Sequence, residues 1–188
     1  MTDVAPRIPW EDVRDPLAGL EQELADFARL HLRRLGCLEV LHLLGRGVHR
    51  LTHASLASRT ARSLGEARRD LELLAESGLL VKARGPSYVL TPESGARRRL
   101  RALLRRADED YQVRLALTAF ALARETESLE EELATRRVAE RAKGLLMQRR
   151  GLTEDEAQLF LLKLSRDTRQ PLRQAAEQIL RELGPDHA

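Results

Sequence analysis

The residues best suited to chemistry in this 188-residue chain are basic side chains at helical spacing near its C-terminus. Arg136, Lys143 and Arg150 recur every seven residues, so on a helix they share one side. Arg166, Arg169 and Arg173 follow around Pro171, a residue that suits the first turn of a helix. Cationic groups in such rows neutralise phosphates, and a guanidinium plane also stacks on unpaired bases. Free N–H groups at a helix start add to the attraction for an anion. Gly144 costs a helix interior about 1 kcal/mol relative to alanine, which suggests close approach by another helix or by a bound partner. Residue types alone leave two readings open, a solvated basic face and an anion-binding one.

Covalent chemistry finds little support. There is no nucleophile elbow, no phosphate-cradling glycine loop and no metal-ligand spacing. The five histidines are scattered. His49 and His53 stand at i, i+4, but Thr52 as a helix cap leaves His49 outside that helix, and no third ligand follows. Cys37 is the single cysteine, which excludes an internal disulfide and reads as a small core residue. The expectation is a chain that is not an enzyme and takes no metal or cofactor. With no signal peptide and no apolar run of bilayer length, it reads as cytoplasmic, with no membrane partner.

The elements that must position the basic residues are three short amphipathic helices. Val138, Ala142 and Leu145 share one face of the first, and Gly151 closes it in a left-handed conformation. Thr153 opens the second, with Glu156 completing a capping box and Ala157, Phe160, Leu161 and Leu164 as its stripe. The third begins near Pro171 and buries Leu172, Ala175, Ala176 and Ile179. No one of them can bury its stripe alone, so the spacing predicts a three-helix bundle over residues 134–188.

The run Arg136…Ala142-Lys143-Gly144-Leu145-Leu146-Met147, then Gly151-Leu152-Thr153, Glu156-Ala157, Ser165-Arg166-Asp167-Thr168 and Leu172-Arg173…Ala176, resembles the ANTAR family of bacterial transcription antitermination regulators. Ala139, Gln158 and Ala175 stand where larger aliphatic or aromatic groups are common in that family, and Arg169 stands where Asn is common. The resemblance implies binding of RNA hairpins whose folding prevents a terminator from forming. It assigns Arg136, Lys143, Gly144, Arg150, Arg166, Arg169 and Arg173 to the RNA-binding surface. It also implies a coiled coil preceding the bundle and a homodimer.

The rest of the chain has its own logic. Pro6, Pro9 and Pro16 mark residues 1–16 as an irregular arm that Trp10 pins to the body. A helical pattern runs from Leu17 to Leu35, Gly36 breaks it, and a short helix follows from Leu38 to Leu44. Thr52 and the pair Ser63 and Glu66 are caps for two further helices, and Ser77-Gly78 stops the second. Apolar-polar runs around Arg84-Gly85-Pro86 read as a β-hairpin. The phrase Leu71…Leu74…Ser77-Gly78-Leu79-Leu80 with Tyr88…Leu90-Thr91 resembles the recognition helix and wing of winged-helix regulators. That resemblance places Arg68, Arg69 and Arg84 as DNA-contact candidates, opposed by Asp70, Glu72 and Glu76 on the same helix. Thr91-Pro92 starts a helix that nothing stops before Gly151. Its seam runs through Leu100, Leu104, Ala107, Tyr111, Leu115, Thr118, Leu122, Leu129 and Leu133, interrupted around Glu125-Thr126-Glu127-Ser128, and suits a coiled coil or a helical hairpin.

The whole reads as a mainly α protein. An arm (1–16) precedes a winged helix-turn-helix domain with a small β-hairpin (17–95), a long connecting helix or coiled coil (96–133) and an ANTAR-like three-helix bundle (134–188). The expected work is recognition of hairpin RNA for transcription antitermination, as a homodimer. A DNA-binding winged-helix regulator acting on duplex DNA, whose bundle serves assembly, is the alternative. A protein-interaction adaptor is the second. No phosphorylated receiver domain is legible in the chain, so a phospho-aspartate is not the expected input.

Overall fold

The computed structural model describes residues 15–184; the expected arm, with Trp10, lies almost wholly outside the described residues, as does His187. Among those residues the chain is mainly helical with one small three-stranded antiparallel sheet. It divides into two compact units, residues 1–126 and 127–188, each with its own apolar core.

The N-terminal unit comprises α1 (Gln22–His31), α2 (Leu35–Gly45), β1 (Leu51–Thr52), α3 (His53–Thr60), α4 (Leu64–Glu76), β2 (Leu80–Lys82), β3 (Ser87–Leu90), α5 (Ser94–Glu109) and the first part of α6 (Tyr111–Arg150). Both predicted caps form. Thr52 Oγ1 accepts from the Ser55 N–H (3.1 Å), and Ser63 and Glu66 exchange bonds at 3.2 and 2.9 Å. Gly78 ends α4 with φ +79, the left-handed conformation that needs no Cβ there. The hairpin pairs Leu80 with Leu90 and Val81 with Val89. A third strand, β1, joins the far side of β3 through Leu51–Tyr88 and Thr52–Ser87. Two residues are too few to show an alternating pattern, so sequence reading missed it.

Three sequence expectations are corrected. The first helix is not continuous from Leu17 to Leu35, and Gly36 does not break it. The chain leaves α1 at His31, turns through Leu32 to Arg34, and re-enters helix at Leu35, with Gly36 buried inside α2. The glycine is there for space, because a Cβ at Gly36 would fall on the Asp70 carboxylate. Thr91 does not cap α5. Its N–H continues the hairpin by donating to the Leu79 carbonyl (2.8 Å), and α5 begins at Ser94 without a side-chain cap. The long helix does break before Gly151. Asp110 lies in extended conformation, and its carboxylate accepts from the Gln112 N–H (2.9 Å) to start α6. α6 runs on through Glu125 to Ser128, where the interruption lies in the apolar seam and not in the helix.

The core explains these choices. Ala96, Leu100, Leu103, Leu104 and Ala107 of α5, then Val113 and Leu117 of α6, are buried with the α1, α2 and α4 leucines. Of the acids Asp70, Glu72 and Glu76 on α4, Asp70 is fully buried. Its oxygens face Arg34 Nε at 3.9 Å and Arg62 Nη1 at 3.7 Å, and burial raises its pKa against the pull of those cations. Arg34 also holds Glu125 of α6 at 2.6 Å, while the other Glu125 oxygen accepts from the Leu35 N–H (3.1 Å). Glu125 therefore supplies the start of α2 with an acceptor that its own N-cap residue, Arg34, does not provide.

The C-terminal unit comprises the rest of α6, α7 (Glu154–Thr168) and α8 (Leu172–Leu183). Gly151 closes α6 with φ +67, and Thr153 and Glu156 form the predicted capping box. Its core is Ala139, Ala142, Leu146, Ala157, Leu161, Ala176 and Ile179. The inward stripe of α6 is thus Ala139, Ala142 and Leu146, rotated one position from the expected Val138, Ala142 and Leu145, which keep only Ala142 fully inside. No helix of the described residues is long and apolar enough to cross a membrane.

One buried base makes the N-terminal unit sensitive to acid. His31 Nδ1 lies 2.8 Å from Ser77 Oγ, and burial, then Arg99 and Arg33, push its pKa from the ordinary 6.5 down to about 4. Between those values the unfolded chain binds the extra proton, so stability is complete above pH 6.5 and drains away toward pH 4. The loss approaches roughly 3 kcal/mol at 1.36 kcal/mol per unit. Urea unfolding of His31→Gln across this range is expected to show a flatter slope between pH 6.5 and 5, before carboxylates titrate. An unchanged slope there would refute the assignment.

Candidate functional site

The basic residues of the C-terminal unit are sorted by the fold into two groups. Arg166 lies in the last turn of α7, Arg169 at its C-terminal cap, and Arg173 in the first turn of α8, and all three are exposed. The turn is compact. The Arg169 N–H donates to the Arg166 carbonyl (3.2 Å), and the Gln170 N–H to that of Ser165 (3.0 Å). Ser165 Oγ returns a bond to the Gln170 carbonyl (2.7 Å). Arg169 takes a left-handed backbone, φ 53, which Asn adopts at less cost than most residues. That gives a backbone reason for Asn at this position, independent of any contact its side chain makes. Arg173 Nε is bonded to Glu177 (2.9 Å) one turn on, an exposed pair that a phosphate can displace at little cost.

The row of Arg136, Lys143 and Arg150 does not form a uniform solvent-facing stripe. Arg136 and Arg150 are exposed, and Arg150 lies over the Phe160 ring at 5.0 Å. Lys143 is only 7% exposed. Its Nζ sits 2.9 Å from Glu140 and 3.1 Å from Glu154, the first residue of α7. The hydrogen bonds that its ammonium donates to Glu140, then Glu154, raise the Lys143 pKa and keep it charged. Its position ties α6 to the start of α7, with no free ammonium turned to solvent.

Gly144 shows the opposite arrangement. It is exposed, and a Cβ added there would meet nothing within 4 Å. No helix of the described residues makes close approach to it, so nothing among them explains its cost in helix stability. Arg137 and Arg141 share its face at i, i+4, i+7 and are exposed, without an ionic partner among the described residues. Sequence reading passed over both, although their spacing to Gly144 was the available signal.

In the N-terminal unit the three other candidates stand apart. Arg68 on α4 is paired with Glu72 at 2.8 Å, the solvated i, i+4 arrangement; Arg69 is exposed on the same helix; Arg84 is exposed at the hairpin turn. Among the described residues no group of three or more His, Cys, Asp or Glu side chains is placed to hold a metal. His53 caps no ligand set with His49, which lies outside α3.

The neighbours Lys143 and Gly144 give a paired prediction. Replacing Lys143 with Ala removes both ion pairs and the packed stem, and is expected to lower the urea midpoint of unfolding. Gly144→Ala is expected to stabilise the same helix by about 1 kcal/mol. A Lys143→Ala midpoint equal to that of the unaltered protein would show that the two carboxylates hold nothing in place.

Comparison with known proteins bears on residues that this geometry brings together. The chain is 38% identical over 76 residues to the transcriptional regulatory protein PdtaR from two strains of Mycobacterium tuberculosis, a stretch covering 38% of this chain. The chain spans about 37% of the length of those curated relatives. No solved structure matches it significantly. The model of the ANTAR domain matches residues 127–180, which take in the rest of α6 after Thr126, all of α7 and most of α8. Residues 127–180, in the C-terminal part of this chain, are an ANTAR domain.

Proposed function

We propose that this chain is a transcription antitermination regulator that binds hairpin RNA through its C-terminal unit. The observation that carries this reading is the ANTAR domain over residues 127–180, folded as a compact unit with exposed arginines at the α7–α8 turn. Arg166, Arg169 and Arg173 are the phosphate contacts, aided by the N–H groups at the start of α8. Arg136 and Arg150 extend the basic surface, and the face of Arg137, Arg141 and Gly144 receives a closely approaching backbone. Lys143 acts one step back, holding α7 where the contacts need it. The pairing of Arg68 with Glu72 leaves α4 poorly charged for a major groove, which favours the RNA reading over a DNA-binding one.

Gel shifts on a transcript carrying two hairpins test the site. The triple variant Arg166→Ala, Arg169→Ala, Arg173→Ala should bind more weakly and lower the slope of log affinity against log salt by about two. Gly144→Ala should also bind more weakly despite its gain in stability, a combination that loss of folding cannot produce. Wild-type affinity and slope in the triple variant would remove these residues from the interface.

The same reading makes the active form a homodimer. Leu115, Leu122 and Leu129 on α6 repeat every seven residues, and each is exposed, as is Leu133. Leucines at this spacing on a solvent-facing helix suit pairing with a second copy. Sedimentation equilibrium should give twice the chain mass for the unaltered protein and the single-chain mass for Leu122→Glu with Leu129→Glu. A monomeric unaltered protein at micromolar concentration would exclude the dimer.

A further inference from the structure

The N-terminal unit contains a groove that neither the family nor the RNA reading uses. It holds about 690 Å³ between the end of α2, the β2–β3 hairpin and α5. This lies within the 300–1,000 Å³ usual for small-molecule sites. Its floor is apolar, built from Leu44, Val48, Val81, Val89 and Leu100. Val81 is 38% exposed there, an open valine on a strand whose other face packs inward. Along one wall stand Arg97 and Arg101, successive turns of α5, and His49 from the α2–β1 connection lies on the rim.

The charge of this wall decides the occupant. Arg97 and Arg101 are exposed, and among the described residues neither has a carboxylate partner, although acids hold Arg29, Arg34, Arg62, Arg68, Arg99 and Arg106 elsewhere in the unit. At i, i+4 their side chains start about 6 Å apart, close enough for two planar guanidinium forks to grip one carboxylate or phosphate head. Burial of the ligand's body on the valine and leucine floor supplies the rest of the affinity.

We propose that this groove is a binding site for a small amphipathic anion, an apolar body bearing one acidic head, held by Arg97 and Arg101. The ligand bridges the hairpin to α5, so it stabilises the placement of β2 and β3 against the helix. Such a site gives the N-terminal unit a route for a chemical input. It stands independently of whether the C-terminal unit binds RNA.

Anilinonaphthalene sulfonate, an apolar ring system with one anionic head, is the probe. Its fluorescence titration against the full chain should saturate at one site. Arg97→Gln with Arg101→Gln should weaken binding about tenfold or more, the loss expected from removing charge-assisted bonds. Arg98→Gln with Arg105→Gln changes the same helix and the same net charge outside this groove, and should leave affinity within about twofold. Phenylnaphthylamine, an uncharged analogue, should bind both pairs and the unaltered protein alike. Val81→Glu, placing a carboxylate on the floor, should abolish binding of both dyes and tests the site even if the arginine variants fold poorly. Equal binding by the Arg97 and Arg101 variant, equal loss in the Arg98 and Arg105 variant, or retained binding in Val81→Glu would each overturn the assignment. Displacement of the dye by stoichiometric RNA or duplex DNA would overturn it too, by making the wall a nucleic-acid contact.

Discussion

The bond between Glu125 and the start of α2 is the constraint on which the N-terminal unit turns. Both oxygens of one carboxylate are committed, one to Arg34 and one to the Leu35 N–H. Because Arg34 is itself buried, it needs that partner, and removal of one member of such a pair costs several kcal/mol while replacement of both costs far less. The bond also fixes how far α6 belongs to this core. Val113, Leu117 and Ala121 are buried ahead of it, and the chain passes into the second unit two residues later. Behind Arg34 lies Asp70, without a hydrogen bond among the described residues and with Arg34 and Arg62 as its nearby cations there. Gly36 is the space that lets this carboxylate sit against α2.

The C-terminal unit solves a different problem. Its core is built largely of alanines, which let three helices close at short range but supply little apolar area each. A unit of this kind depends on its helix ends. The Thr153 and Glu156 capping box, the left-handed Gly151 and Arg169, and the Lys143 bridge to Glu154 all act at the junctions between helices. The same junctions bring the arginines of α7 and α8 to the surface together. Stability and the basic surface therefore come from one set of turns, and changes there affect both.

In the N-terminal unit, acids neutralise most arginines that the core approaches. Arg62 is held by Glu39 at 2.8 Å and Arg29 by Asp15 at 2.6 Å. The α5 ridge departs from this pattern, with Arg97, Arg98, Arg101 and Arg105 exposed and unpaired among the described residues. In the sequence the same arginines read only as a blocky charge run, because a run carries no information about what it borders.

The sequence by itself determined the helical class, the caps at Thr52, Ser63 and Thr153, the glycine stops at Gly78 and Gly151, and the hairpin around Gly85. It also carried the ANTAR domain through a dense run of residue types. These are local effects, set by hydrogen bonds and backbone conformations within a few residues of their cause. Only the tertiary structure decided that Gly36 lies inside a helix, that Asp70 is buried, and that β1 completes the sheet. It alone turned Lys143 inward and left Gly144 open, since a shift of one position along α6 exchanges a lysine stem for a leucine in the core. A helical wheel gives spacing but not the angle at which a helix meets its neighbours. That angle is fixed by packing against α7 and α8, which no stretch of α6 encodes alone.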